Sequence, residues 1–276
     1  MAESSIQSFN HLKIHTQYSI CEGAVKIDDL QDFSKSNKIK SLALCDTSNL
    51  CGALEFAEKI SKVGTQPIIG TQINFKFGDT VGLLPLFALN EKGYKRIIKL
   101  SSLSFLENDE LSDPHIDFSN LLENNEGVAI FSGTTFGLFG ELFNKGKFSE
   151  IHDLYKKLNS TFGDRFYIEI QRHNDQNESE FEKFNLKKSL ELNNPIIATN
   201  EVFYINQDMY EAHDALICIG NKTYINEKNR KRFSNQHYFK SNSEMSELFA
   251  DLPEALENNY NFPLRCNFRP QFSNPI

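Results

Sequence analysis

Short apolar runs alternate along this chain with longer amphipathic ones. The apolar runs fall at residues 41–45 (SLALC), 67–73 (PIIGTQI), 83–89, 127–131 (GVAIF), 166–170 (FYIEI) and 195–199 (PIIAT), each bounded by turn-forming residues. Consecutive apolar positions over so few residues predict strands buried on both faces. Between them lie helical patterns at residues 27–37, 50–62, 94–105, 151–158, 181–192 and 209–219. In 50–62, Leu50, Ala53, Leu54, Ala57 and Ile60 share one face, and Asn49 is the expected N-cap.

Buried strands separated by helices predict a parallel sheet with right-handed crossovers. The number of units favours a closed βα-barrel over a doubly wound sheet. Neither a G-x-G-x-x-G nor a G-x-x-x-x-G-K-[ST] string occurs, so both nucleotide-loop folds lack their usual mark. In a barrel, chemistry belongs at the C-terminal ends of the strands. Residues 108–115 (NDELSDPH) read as an inserted loop. Residues 1–8 are expected to form a flexible N-terminus, 9–262 one domain, and the proline-containing stretch 263–276 the start of a linker.

Charge narrows the function. The chain has 276 residues, with 29 Lys and Arg against 37 Asp and Glu, a formal net charge of -8. Phosphate neutralisation supplies most nucleic-acid affinity, so a domain that grips DNA by itself carries a basic excess. This segment is therefore not expected to be a main DNA-binding surface. The strongest basic run, Lys228, Arg230, Lys231 and Arg232, reads as a solvated loop. Five scattered cysteines with no C-x-x-C pair indicate neither a zinc ribbon nor a disulfide framework, and suit a reducing cytoplasm. Cys45 reads as a small core residue. No run reaches the roughly eighteen apolar residues of a membrane span, so a cytoplasmic protein without a membrane partner is expected.

The residues that follow the strands carry more information. They read HLKIHTQYS (11–19), CDTSNLCGALEF (45–56), PIIGTQINF (67–75), FSGT (131–134), IQRH (170–173) and ATNEVFY (198–204). In this order and spacing they closely resemble the N-terminal PHP (polymerase and histidinol phosphatase) domain of bacterial replicative DNA polymerase III α subunits. The strings EAHDALICIG (211–220) and FADLPEALENN (249–259) are especially similar to the α-proteobacterial form. The resemblance runs from about Phe9 to the end of the chain. It implies an α/β fold, a distorted seven-stranded βα-barrel.

In metal-competent members of that family, His, Asp, Glu and Cys at the strand ends hold a cluster of up to three metals. The cluster activates water and hydrolyses phosphate esters, in some polymerases as a proofreading exonuclease. Here most of those positions differ. The leading H-x-H pair reads Lys13 and His15, and the Thr-Asp-His triplet reads Cys45, Asp46 and Thr47. The bridging Glu aligns with Gln72, and a further His with Leu83. The Ser-Gly-Cys turn reads Ser132, Gly133 and Thr134, and the final Asp-x-His pair reads Glu201 and Phe203. Ligand types remain at His15, Asp46, His173 and Glu201, which do not complete the shell of any one metal. Lys13 brings a fixed positive charge to where a metal would sit, and a neutral Gln72 cannot offset repulsion between adjacent dications.

Beside this stand plainer expectations. His15 is a polar residue satisfied by hydrogen bonds in the barrel mouth. Asp46 caps the turn after its strand or pairs with Lys13. His173 is exposed or locally bonded. Glu201 pairs with Lys13. His11 is a buried strand residue. His115, His213 and His237 have no partners at metal spacing, although Glu211 and His213 suit a helix start or an interface.

The resemblance implies part of a DNA-directed DNA polymerase whose catalytic residues lie outside this segment, where Mg²⁺ would act. Here no catalytic residue and no cofactor is expected. The implied role is a structural and docking domain for the separate proofreading exonuclease (epsilon) subunit and the rest of the polymerase III holoenzyme. DNA would be met mainly through other domains. The alternative is an active zinc- or manganese-dependent phosphoesterase or 3′–5′ exonuclease.

Overall fold

The computed structural model describes residues 8–108 and 113–272. Residues 1–7, most of the expected flexible N-terminus, lie outside the described residues, as do 109–112 of the expected loop and 273–276 of the expected linker. The first half of the described chain runs β1 (His11–Ile14), α1 (Ile27–Asn37), β2 (Ser41–Thr47), α2 (Ala53–Lys62), β3 (Gln66–Phe77), β4 (Thr80–Ala88) and α3 (Glu91–Leu106). The middle holds β5 (Ile116–Asp117), α4 (Ser119–Leu122), β6 (Val128–Phe131), α5 (Leu138–Asn144) and α6 (Phe148–Phe162). The remainder is β7 (Phe166–Ile170), α7 (Glu178–Leu192), β8 (Ile196–Ala198), β9 (Glu201–Val202), α8 (Tyr210–Gly220), α9 (Asn242–Leu248) and α10 (Pro253–Asn261).

The strand path is β8-β7-β6-β4-β3-β2-β1-β9. Its two ends, β8 and β9, are separated in sequence only by Thr199 and Asn200. They are two halves of one broken strand: the first half pairs with β7 and the second with β1. The path is therefore a ring. At the break, the buried Asn259 carboxamide donates to Asn10 O and Ala198 O at 2.8 and 2.9 Å, bridging the strands where their ladder lapses. Short β5 adds on to β3 alone. The result is the expected distorted seven-stranded α/β barrel, counting β8 and β9 as one strand.

One element departs from the all-parallel expectation. β4 runs antiparallel to both β3 and β6. Gly78 and Asp79 link β3 to β4 directly, and Gly78 takes the positive φ (62°) that a tight hairpin demands. Helix α2 also starts later than expected. Gly52 occupies its N-cap position, while the Asn49 side chain accepts from Cys51 N–H and donates to Tyr18 O and Thr47 O.

The barrel interior is packed by inward residues from every long strand, including Leu12, Ala43, Cys45, Ile68, Phe87, Phe131 and Tyr167. Phe262 plugs it, its ring within 5.1–5.7 Å of the Phe87, Phe131 and Tyr167 rings. Outward residues pack under the helices in separate clusters. Beyond Phe262 the chain stays on the barrel as far as Arg269: Cys266 is buried, Asn267 N–H donates to Leu89 O at 2.9 Å, the Phe268 ring lies 5.1 Å from that of Tyr94, and Arg269 donates to Ser61.

Candidate functional site

The barrel mouth is built by strand ends, so inward parity decides which side chains reach it. In β7, Phe166, Ile168 and Ile170 face the helices, leaving Tyr167 and Glu169 turned inward. In β1 the register against β2 slips by one residue between His11 and Ile14. Leu12 joins the interior, Ile14 joins the outer cluster, and Lys13 reaches the carboxylates at the mouth.

Lys13 is fully buried, with its Nζ 3.0 Å from Glu201 Oε1 and 3.7 Å from Glu169 Oε1. These contacts are ion pairs rather than aligned hydrogen bonds. Burial alone would weaken the ammonium's hold on its proton. Glu169 and Glu201 outweigh it and hold Lys13 above the usual lysine range. Burial likewise opposes the Glu201 charge, but Lys13 and then His15 overcome it and hold this carboxyl well below the ordinary range. For Glu169 burial wins, and its carboxyl is raised despite Lys13. The expected Lys13–Glu201 pair is thus present, and Glu169 is a third member that the sequence reading missed.

Glu201 Oε1 also receives His15 Nε2 at 3.0 Å and Gln72 Nε2 at 3.5 Å. Phe203 lies over the His15 ring at a centroid distance of 4.6 Å. Gln72 Nε2 reaches Thr47 Oγ1 at 3.3 Å, and Thr47 donates to Glu22. Thr134 Oγ1 accepts from Phe136 N–H at 3.1 Å, closing the turn whose Gly133 has a φ of 82°. Gln72, Leu83, Thr134, Glu201 and Phe203 line one cavity of about 30 Å³. That is room for about two waters, not for a nucleotide.

Asp46 does not pair with Lys13, nor does it cap the turn after its own strand. It is buried and clamps the loop after β1 instead. Its oxygens accept from Thr16 N–H (2.6 Å), Thr16 Oγ1 (2.8 Å) and Ser19 Oγ (2.7 Å). Burial raises its carboxyl, and these donors pull the other way. Ser19 Oγ in turn stands 3.5 Å from His15 Nδ1.

His173 is locally bonded, as expected, and buried rather than exposed. Its Nε2 stands 3.1 Å from both the Glu201 amide nitrogen and the Asn200 carboxamide oxygen, so either tautomer has a partner. Burial holds this imidazole well below its usual range, so it is neutral at physiological pH. The four ligand-type residues therefore share one network, but only His15 and Glu201 meet side chain to side chain.

His237 corrects the sequence reading. Its Nε2 lies 2.9 Å from Asp175 Oδ2, and its ring stacks on His173 at 4.1 Å and 4°. Nothing in the spacing of 173, 175 and 237 could reveal this, because the third residue arrives on a distant irregular segment. His11 is buried, as expected, with Nε2 2.9 Å from Lys240 O. His213 is buried in the first turns of α8, its Nε2 2.9 Å from Glu22 O. The basic run is not all solvated: Arg230 forms a two-pronged pair with Asp214, both contacts 2.6 Å.

The profile of the PHP domain family matches residues 11–173. A protein named DNA polymerase III subunit alpha from Caulobacter vibrioides is 36% identical over 284 residues, covering 100% of this chain and 25% of the relative. One of the same name from Rickettsia conorii is 39% identical over 272 residues, covering 97% and 23%. This chain spans about a quarter of the length of these curated relatives. A solved two-domain protein from Bacteroides vulgatus, titled as containing a predicted PHP-like metal-dependent phosphoesterase, is similar at a TM-score of 0.48 and 13% identity, covering 86% of this chain and 62% of that one. With the profile matching more than half of the residues, the chain belongs to the PHP domain family.

Proposed function

We propose that this chain is the N-terminal domain of a bacterial replicative DNA polymerase α subunit, and that its own barrel mouth carries out no chemistry. The observation that carries this reading is the buried Lys13 ammonium, 3.0 Å from Glu201 Oε1. The Glu201 Oε1 and His15 Nε2 atoms that would face a cation there are already turned to Lys13 and to each other. The family's metal cluster does not fit these residues. Gln72 is neutral where a bridging carboxylate is needed, and Phe203 covers the His15 ring. An ammonium can hold the carboxylates together as a metal would, but it cannot lower the pKa of a bound water or accept its lone pair.

What remains is a scaffold, and its rim offers a docking surface. Ile20, Ile219, Tyr224 and Ile225 are each more than 60% exposed. The loop after β1 and the end of α8 meet there: a side chain on Gly220 would touch Cys21 Cβ. Large apolar side chains gathered on a rim are the footprint of a protein partner. The partner proposed is the separate proofreading exonuclease subunit, within the polymerase holoenzyme in the cytoplasm. Among the described residues no helix is long and apolar enough to cross a membrane. The net charge of -8 leaves the DNA contacts to other domains.

The test combines two assays on this chain. Co-elution with the exonuclease subunit should be lost in Ile219→Glu combined with Ile225→Glu. Hydrolysis of a phosphomonoester or of a 3′ DNA end should stay at background with added Zn²⁺ or Mn²⁺. Metal-dependent hydrolysis abolished by His15→Ala would overturn the reading in favour of a phosphoesterase.

A further inference from the structure

A second polar cluster sits beside the mouth and takes no part in the Lys13 pair. We infer that His173, Asp175 and His237 form a binding site for a single divalent cation of the zinc type. This goes beyond the family's metal positions, since only His173 belongs to them.

Geometry supports the donor set. Each of the three residues offers a ligand atom within 4.8 Å of the others. Two imidazoles and a carboxylate are a zinc-type donor set, with ligands about 2.0–2.2 Å from the ion. All three side chains are at most 6% exposed.

The surrounding contacts leave the right atoms free. His237 Nδ1 faces Glu201 O at 3.2 Å, which fixes its proton there and leaves Nε2 as the ligand atom. Asp175 Oδ1 accepts from Ser234 N–H at 3.1 Å, leaving Oδ2 facing His237. His173 Nε2 accepts from Glu201 N–H at 3.1 Å, so ligation through Nδ1 requires the ring proton to move to Nε2, where Asn200 Oδ1 at 3.1 Å can accept it. A fourth group stands close by. Glu178 uses Oε2 on the His173 and Asn174 amides, both 2.7 Å, and turns Oε1 to His173 Nδ1 at 3.4 Å.

Charge balances as well. Two neutral imidazoles with Asp175 and Glu178 offset one dication. Lys240 Nζ, 3.0 Å from Asn200 Oδ1, places one positive charge beside the two carboxylates. One rearrangement is required. Rings stacked at 4° aim their lone pairs in parallel, so one must tilt to converge on the ion. Residues 221–241 contain no helix or strand, and a cation here would staple that segment to the loop after β7.

The experiment is zinc titration of chelator-treated chain, followed by calorimetry and by the histidine ring C–H resonances. The expected result is saturable uptake of one Zn²⁺, with the His173 and His237 resonances moving and His11 staying still. Asp175→Asn and His237→Gln should each weaken binding at least tenfold. Cys51→Ser, which removes the exposed thiol, and His15→Ala should leave it unchanged. Loss of uptake in Cys51→Ser or His15→Ala, or unchanged uptake in both Asp175→Asn and His237→Gln, would overturn the site, as would no saturable uptake by the chain itself. Where His237→Gln fails to fold, Asp175→Asn alone decides.

Discussion

Two clusters of charged residues lie side by side at one end of this barrel and solve opposite problems. In the mouth, Lys13, Glu169 and Glu201 are enclosed on every side, and the positive charge is covalently part of the protein. At the neighbouring rim, His173, Asp175 and His237 are also buried, but Asp175 and Glu178 have no cationic side chain within ion-pair distance except the histidines themselves. A carboxylate buried with a built-in ammonium needs nothing more. Carboxylates buried against imidazoles, with no lysine or arginine among the described residues paired to them, leave room for a further positive charge. On the two proposals above, the first region excludes a metal and the second takes one, although they lie side by side.

The comparison breaks most visibly at Lys13. Lys13→Met should cost about 3–5 kcal/mol in equilibrium unfolding, because it strands Glu201 in a dry interior. Lys13→Met combined with Glu201→Gln should cost clearly less than the sum of the two single changes. An additive double variant would mean that the pair does not hold the mouth together.

At the rim, Asp175→Asn should cost less, about 1–3 kcal/mol without metal, since it removes one hydrogen-bond partner rather than the mate of a buried charge. Chemical denaturation of both variants side by side ranks the regions. A rim variant as damaging as Lys13→Met would erase the distinction drawn here.

A pH titration sharpens the contrast further. Burial lowers His11 to about 3 and His213 to about 4, against partial support from the carbonyls they face. Both folded values lie below the unfolded value near 6.5, so their contribution to stability is present above that pH. It is lost as pH falls from 6.5 toward 3–4, by up to about 1.4 kcal/mol per pH unit for each group. Glu178, raised to about 7 by burial and by Asp175, works the opposite way: its contribution is full below the unfolded carboxyl range and fades as pH rises through 7. The direct check is NMR: the His11 and His213 rings should not titrate between pH 8 and 5.

The smallest effect belongs to the rim surface. Ile219→Glu and Ile225→Glu should change stability by no more than about 0.5 kcal/mol, since both side chains are mostly in water. Their consequence should be confined to partner binding.

Much of the barrel was legible in the chain, for a physical reason. The runs at 41–45 and 166–170 are buried on both faces, and such strands must be apolar throughout. Helix α1 matched its expected bounds because its amphipathic period is unbroken. Strand direction was not legible from hydrophobicity, which is blind to it. The Gly78–Asp79 pair between two apolar runs was the available hairpin signal, and it specifies antiparallel β4. Glu169 could also have been found: in FYIEI it shares inward parity with Tyr167, and a charge on the inner face of a buried strand needs a partner. The Lys13–Glu201 pair was readable because the family resemblance put both residues in one mouth. His237 was not, because residues 221–241 have no period from which to place it.

The central claim is that Lys13 has taken over the place of a metal in the mouth. Crystals of this chain soaked in Zn²⁺ or Mn²⁺ and measured at the metal absorption edge test it most directly. The account predicts no anomalous peak within coordination distance of His15 and Glu201, with Lys13 Nζ still on the Glu201 carboxylate. An ion bound by His15 and Glu201, with Lys13 swung aside, would contradict it.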